Sequence, residues 1–331
     1  MSDQRNKYYD FLRGIAIFMV VGIHTTGGHC GFDSFYANIN TIIRQVLNAG
    51  VPMFFAISGF FLSKKNLETK ENRNKFWKHQ IPKVYIPALI WGLPWLALAL
   101  YGGGDSTLQV VLWLFCGLSI FYYIAVIIQY YLLLPIIQRF TTPPLYRNLI
   151  SIGLSFISIV FITWLRFIKG VELPLILYAG FSPLWIVFFT MGISLAENKR
   201  EYKLSWLVVL LVVSLALQYV ESYCLNISGN SGFGIKPSSF LFSAILILVL
   251  FSSKVETKWK PIGIVAKIFT WLGELSFGIY LTHCLVILMV SKIPYNHLWI
   301  LDWTLTLVLD VAFIIILKKI IPDKCYKYIG I

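Results

Sequence analysis

The sequence predicts an all-α, polytopic membrane helix bundle of about ten transmembrane helices, with both termini cytoplasmic. Three observations predict it. The 331 residues are 58% hydrophobic and only 13% charged, whereas a soluble domain carries about 25% charged residues. Apolar runs long enough to cross a bilayer recur along the whole chain. The basic residues fall between those runs, concentrated in alternate connections. No stretch remains for a separate soluble domain, so residues 1–331 read as one integral-membrane domain. The formal charge of +13 sits in short clusters where membrane topology puts it, which excludes nucleic acid as the partner.

The first run, 9–28, follows basic Arg5 and Lys7 and resembles a signal peptide. No small-x-small cleavage site follows it, so it reads as an uncleaved first span. The second, 46–63, contains Pro52, Ser58 and Gly59. The third, 84–101, follows the longest inside loop, 64–83, with seven basic residues against Glu68 and Glu71. The fourth, 110–138, is longer than one span needs, and a short re-entrant piece around Trp113–Ser119 would break it. Runs at 148–166, 174–195, 204–222 and 238–253 come next, the last after the Gly- and Ser-rich connection Asn226–Ser238. The ninth, 264–290, holds a polar stretch, and the tenth, 299–321, holds Asp310, the clear mid-span acid. With the N-terminus inside, 22 of the 28 Lys and Arg residues lie on inside segments. Arg44, Arg166, Lys169, Lys236 and Lys292 lie outside, and Arg13 lies within a span. A missed span would swap every later connection and spoil this split.

Cys30, Cys116, Cys224, Cys284 and Cys325 are scattered without a CxxC pair and read as small buried hydrophobes. The five histidines are dispersed without ligand spacing, so no metal is expected. There is no Walker or dinucleotide-binding loop.

The chemistry-bearing residues begin on the first span, in Asp10-Phe-Leu-Arg13 and, eleven residues after Arg13, His24. At 100° per residue Arg13 and His24 return to within roughly 20° of one helix face, about 16 Å apart along the axis. Ionisable groups in an apolar span face protein or water and mark a functional site by default. His24 falls in the outer half of the bilayer, where a neutral imidazole can take a proton from a hydroxyl and return one to a leaving group. Arg13 can fork onto a phosphate or carboxylate, or pair with Asp10 at i, i+3; the two roles are compatible. Val51–Phe61 places Ser58 and Gly59 in the second span, where small residues also serve close helix packing. In Gly273–His283, Ser276, Tyr280 and His283 share one helix face at i, i+4 and i+7.

These motifs resemble the integral-membrane acyltransferase-3 family, which includes bacterial O-antigen, capsule and peptidoglycan O-acetyltransferases. The resemblance spans nearly the whole chain. It rests on Arg13 and His24 as the family's Arg-x10-His, with Pro52-Met-Phe-Phe-Ala-Ile-Ser58-Gly59-Phe60, Tyr131-Leu-Leu-Leu-Pro135 and Ser276-Phe-Gly-Ile-Tyr280-Leu-Thr-His283 in the same order. Two elements depart from the family. The Arg-x-x-Arg that opens its third span is replaced by Gln80 and Lys83. Its Leu-Trp-Phe-Leu in the fourth span is replaced by Phe121-Tyr122-Tyr123-Ile124.

The resemblance implies an acyl-CoA-dependent O-acetyltransferase of the bacterial inner membrane, moving acetyl from cytosolic acetyl-CoA to a glycan or lipid-linked glycan hydroxyl. It implies catalytic roles for His24, Arg13 and Asp10, donor binding by Arg13, Lys83 and Gln80, and acceptor contacts from Ser58, Ser276, Tyr280 and His283. His24 is either a general base or a transient acyl carrier. Membrane lipid surrounds the bundle, and no metal is implied. Some members carry an added SGNH hydrolase-like domain, which these residues do not contain. Two other readings remain. One is a transporter or flippase of a lipid-linked intermediate, against which the shortage of mid-span carboxylates and paired broken helices counts. The other is an acyltransferase with a non-glycan acceptor.

Overall fold

The computed structural model describes residues 7–27, 31–139, 144–198, 202–260, 262–295 and 298–331. Arg5, Cys30, Lys199 and Arg200 lie outside the described residues. Among the described residues every regular element is helical. In chain order the α-helices are α1 (Lys7–Thr25), α2 (Phe35–Leu47), α3 (Gly50–Leu62), α4 (Lys70–Tyr101), α5 (Ser106–Leu114), α6 (Tyr122–Arg139), α7 (Pro144–Thr163) and α8 (Leu175–Ala179). They continue with α9 (Ser182–Glu197), α10 (Leu204–Ile227), α11 (Pro237–Leu250), α12 (Ser253–Lys258), α13 (Ile264–Val290), α14 (Trp299–Ile320) and α15 (Tyr326–Ile329).

Each of the ten apolar runs carries a helix. Among the described residues, seven helical stretches are long and apolar enough to cross a membrane: Phe35–Leu62, α4, Ser119–Arg139, Pro144–Ile168, α10, α13 and α14. The helix α1 holds Asp10, Arg13 and His24 within 19 residues, and α9 and α11 are short, at 16 and 14 residues. The basic segment 64–83, expected as a loop, is mostly helix. Thr69 caps α4 by accepting from the Asn72 N–H at 3.1 Å, and Glu71 sits in the first turn, where acid suits the positive end of the helix. The fourth run breaks where expected: Cys116 and Ser119 hold φ of 54° and 51°, which ends α5 and restarts the chain as α6.

The outer helices are amphipathic in the inverted sense. In α7 the buried side chains are Arg147, Ser151, Ser155 and Ile159; in α10 they are Leu207, Ser214, Gln218 and Ser222. Large apolar residues such as Phe156, Ile157, Val212 and Val213 face outward, as lipid requires. Arg147 donates through its two terminal nitrogens to both Glu197 carboxylate oxygens at 3.0 and 2.7 Å and to the Ser194 hydroxyl at 2.7 Å. Burial separates core from rim. Of the most apolar window, 61% is buried in Phe35–Leu62 and in α13, against 17% in α4, α7 and α10.

Two helix pairs form the most extensive contacts, α1 with α13 and α3 with α9. Both crossings depend on glycine. A Cβ on Gly14 would lie 1.7 Å from the Phe269 carbonyl oxygen, and one on Gly273 would lie 1.7 Å from that of Asp10. In the other pair, a Cβ on Gly59 would lie 2.0 Å from the Phe189 oxygen, and one on Gly192 would lie 2.0 Å from that of Ala56. The backbones touch because no side chain stands between them.

The contacts set Lys70 and Asn230 at opposite ends of the bundle. The start of α4 packs through Phe76 on Tyr131 near the Arg13 end, while Phe233 joins His24 at the other. Single-cysteine labelling at residues 70 and 230, in a chain whose own cysteines are serine, is expected to report opposite faces of the membrane. Labelling from the same face would overturn the ten-span map and its cytoplasmic termini.

Candidate active site

The helix α1 connects two differently built ends. At its start Asp10 is buried and accepts from Arg13 at 2.9 Å. The guanidinium also lies over the Phe61 ring, 4.9 Å from its centroid, and keeps 29% of its side-chain surface exposed. Arg13 therefore has the pairing role and still has surface for a second ligand. The neighbouring wall follows from a proline. Pro135 cannot donate to the carbonyl of Tyr131, four residues earlier in α6, so that oxygen takes the Trp77 indole N–H at 2.7 Å. This bond ties the start of α4 to the Arg13 end. Lys65, Lys75, His79 and Gln80 line a groove of 410 Å³ there, and Lys70 and Lys78 line a second along the same helix. Gln80 thus joins a basic cluster. Lys83 is exposed and lines neither groove.

At the other end His24 is exposed to a cavity of 330 Å³. Aromatic residues Tyr122, Tyr178, Trp185, Phe233 and Phe240 form much of its wall, with Asn48, Ser239 and Ser243 among the polar contributors. Arg44 and Arg166 complete it. Behind His24 lies His283, with ring centroids 5.3 Å apart. His283 is fully buried. Its Nδ1 lies 3.0 and 2.9 Å from the carbonyl oxygens of Ile279 and Tyr280. Carbonyls only accept, so Nδ1 carries the hydrogen, and a neutral ring then presents Nε2 as a lone pair. Nε2 has no partner among the described residues.

Packing continues from this pair toward the second span. The Tyr280 ring lies 6.2 Å from His283 and 5.3 Å from Tyr123, and the Tyr123 hydroxyl hydrogen-bonds Ser58. The four residues expected at the acceptor therefore form a supporting wall, and none lines the cavity. Ser276 donates to the Gly273 carbonyl at 2.8 Å and Tyr280 to that of Ile120 at 2.6 Å. The helical face they share is real, but it points into protein. Asp310 accepts from Thr282 at 2.5 Å, also behind the cavity.

One nitrogen of each histidine and Cys284 Sγ lie within 4.8 Å of one another. These ligand types suit Zn²⁺, although no metal is expected from the sequence. No spacing announces the group, because the two histidines come from the first and ninth runs. Of the other cysteines, Cys116 is buried, Cys325 is partly exposed and Cys224 is exposed, contrary to the expectation of a buried hydrophobe.

Sequence reasoning missed Arg44 and Arg166, which it counted as outside charges. Their position was itself the signal: a basic residue outside runs against the bias that 22 others obey.

A comparison with protein families matches residues 6–319 to the acyltransferase-3 model, described as an acyltransferase domain. Neither the curated proteins nor the solved structures gave a match.

Proposed function

The chain belongs to the acyltransferase-3 family and is an integral-membrane helical acyltransferase, and on that premise we propose that it takes acetyl from cytosolic acetyl-CoA and delivers it to a hydroxyl of an envelope glycan at the bacterial inner membrane. One observation carries the reading. A single helix bears an arginine beside a basic rim at one end and a cavity-facing histidine at the other, separated by about 16 Å, a span comparable to the pantetheine arm.

The basic grooves of α4 suit CoA phosphates, and Arg13 offers a fork of donors to the same anion. The acceptor hydroxyl meets His24 in the cavity. His24 takes its proton as the hydroxyl oxygen attacks the thioester carbon. The new C–O bond forms, the C–S bond breaks, and the imidazolium returns the proton to the CoA sulfur. His283 Nε2, without a partner among the described residues, would support this if the two rings close enough for it to accept a His24 N–H, holding the other His24 nitrogen toward the cavity. A transient acetyl-His24 makes the same net transfer in two steps. Incubation with acetyl-CoA alone separates the routes, since only the covalent route releases one equivalent of CoA before acceptor is added.

The test is purified protein in nanodiscs with acetyl-CoA and oligosaccharide acceptors, following free CoA and the mass of the glycan. A gain of one acetyl on the glycan is expected. CoA release with acetylated lipid or protein and no acetylated glycan would move the chain to another acceptor class. Arg13→Lys keeps the charge and loses the fork. It is expected to raise the acetyl-CoA KM by about tenfold, within the range of one charge-assisted hydrogen bond, with protein still in the membrane. An unchanged KM and rate would leave Arg13 as a packing partner of Asp10.

A further inference from the structure

We propose that the cavity beside His24 is built for an acceptor sugar bearing an acidic group, with Arg44 and Arg166 as the site for its oxyanion. The proposal rests on the acyl-transfer reading for its biological meaning, but its binding chemistry stands apart.

Two other arginines of the bundle are paired with acids. Arg13 has Asp10, and Arg147 has Glu197. Arg44 and Arg166 have no carboxylate within ion-pair distance among the described residues. Arg44 is buried, with 7% of the residue's surface exposed. Its hydrogen-bond partner is the Asn48 side-chain oxygen, its Nε has no partner, and its guanidinium lies over the Phe233 ring at 5.1 Å. Arg166 stacks over Tyr178 at 4.0 Å. Aromatic faces hold the two cations in place without neutralising them. A buried charge without a counter-charge is costly, and both residues also oppose the topology bias. A ligand anion in the cavity they line would satisfy both.

The remaining surface selects the rest of the ligand. At 330 Å³ the cavity is near the lower end of small-molecule sites and suits about one sugar ring. Trp185 and Phe240 offer apolar faces, and beside them Ser239 and Ser243, whose hydroxyl hydrogens go to the Lys236 and Ser239 carbonyls, can only accept. An acidic group on the arginines would turn the ring so that another hydroxyl faces His24. The arginines would then set acceptor specificity, and His24 the chemistry.

The test is equilibrium binding to the full chain in phosphatidylcholine nanodiscs, without acetyl-CoA, so that it is independent of turnover. The probes are D-glucuronate, glucose 6-phosphate and D-glucose. Glucuronate is expected to bind about tenfold or more tightly than glucose, as a charge-assisted contact provides, and the phosphate ester shows which oxyanion fits. Arg166→Gln, at a partly exposed position that tolerates change better than Arg44, is expected to remove the preference and leave glucose binding intact; Arg44→Lys should restore part of what Arg44→Gln loses. Equal binding of acidic and neutral sugars by the unaltered protein would overturn the proposal without touching acyl transfer. So would a preference that survives both Gln variants, or one that disappears when phosphatidylglycerol is added, which would assign the arginines to lipid headgroups. Glycan acetylation failing while the acidic preference holds would overturn the acyl-transfer reading instead.

Discussion

Replacing His24 by alanine is expected to lower acyl transfer by about 10²–10⁴-fold, the contribution of a positioned general base, while the protein still inserts and folds. The side chain faces the cavity, so its loss removes little packing and leaves the Asp10–Arg13 pair at the other end of α1 intact. Acetyl-CoA KM should therefore change less than kcat. His283→Ala is expected to lose less activity, because that ring touches His24 and not the cavity. It should lower thermal stability more, because a fully buried side chain is removed. Turnover and melting of the two purified variants are the measurements. Normal acetylation by His24→Ala would remove the histidine from the chemistry. Equal total loss in both would mean the two rings share the role.

The second large effect is expected from a methyl group. Gly273→Ala places a Cβ 1.7 Å from the Asp10 carbonyl oxygen. A backbone oxygen cannot swing away as a side-chain tip can, so α1 and α13 must separate. Overpacking of this kind costs about 1–3 kcal/mol. The larger consequence is for His24 and His283, whose juxtaposition spans the same helix pair. Strongly reduced activity and a lower melting temperature in detergent are expected, with Gly14→Ala behaving alike. Gly153→Ala on α7 is the control, since nothing lies within 4 Å of its added Cβ. If Gly273→Ala matched Gly153→Ala in both measurements, the close crossing would not be what aligns the histidines.

The helical character of the apolar runs was legible because lipid imposes one rule on every span; among the described residues, seven helical stretches are long and apolar enough to cross. The stripe Asp10, Arg13, His24 was legible because it lies on one helix, where spacing fixes the face. The segment 64–83 was read as a loop because its charges hide a helix that extends beyond the apolar run. The face of Ser276, Tyr280 and His283 was read correctly, but what it faces depends on α1 and α6, which spacing within one helix does not report. Arg44 and Arg166 were missed for the same reason: α2 and the π-helical end Trp164–Ile168 that continues α7 meet only in the assembled bundle. The meeting of His24, His283 and Cys284 likewise needs the crossing of α1 and α13. Gly14 and Gly273 permit that crossing, but in the sequence they are two glycines among 23.

Those glycine crossings also distribute stiffness unevenly around the cavity. His24 stands on the α1–α13 pair, and Pro52 and Trp185 stand on the α3–α9 pair, so the inner wall is made from two units with little internal compliance. Another part of the wall, Ser231–Ile235 with Arg166, lies outside both crossings. Whatever deformation accommodates acceptors of different shape should concentrate there. On the proposed mechanism the His24 imidazole would keep its coordinates while the aperture changes, so altering the soft wall alone should shift acceptor preference.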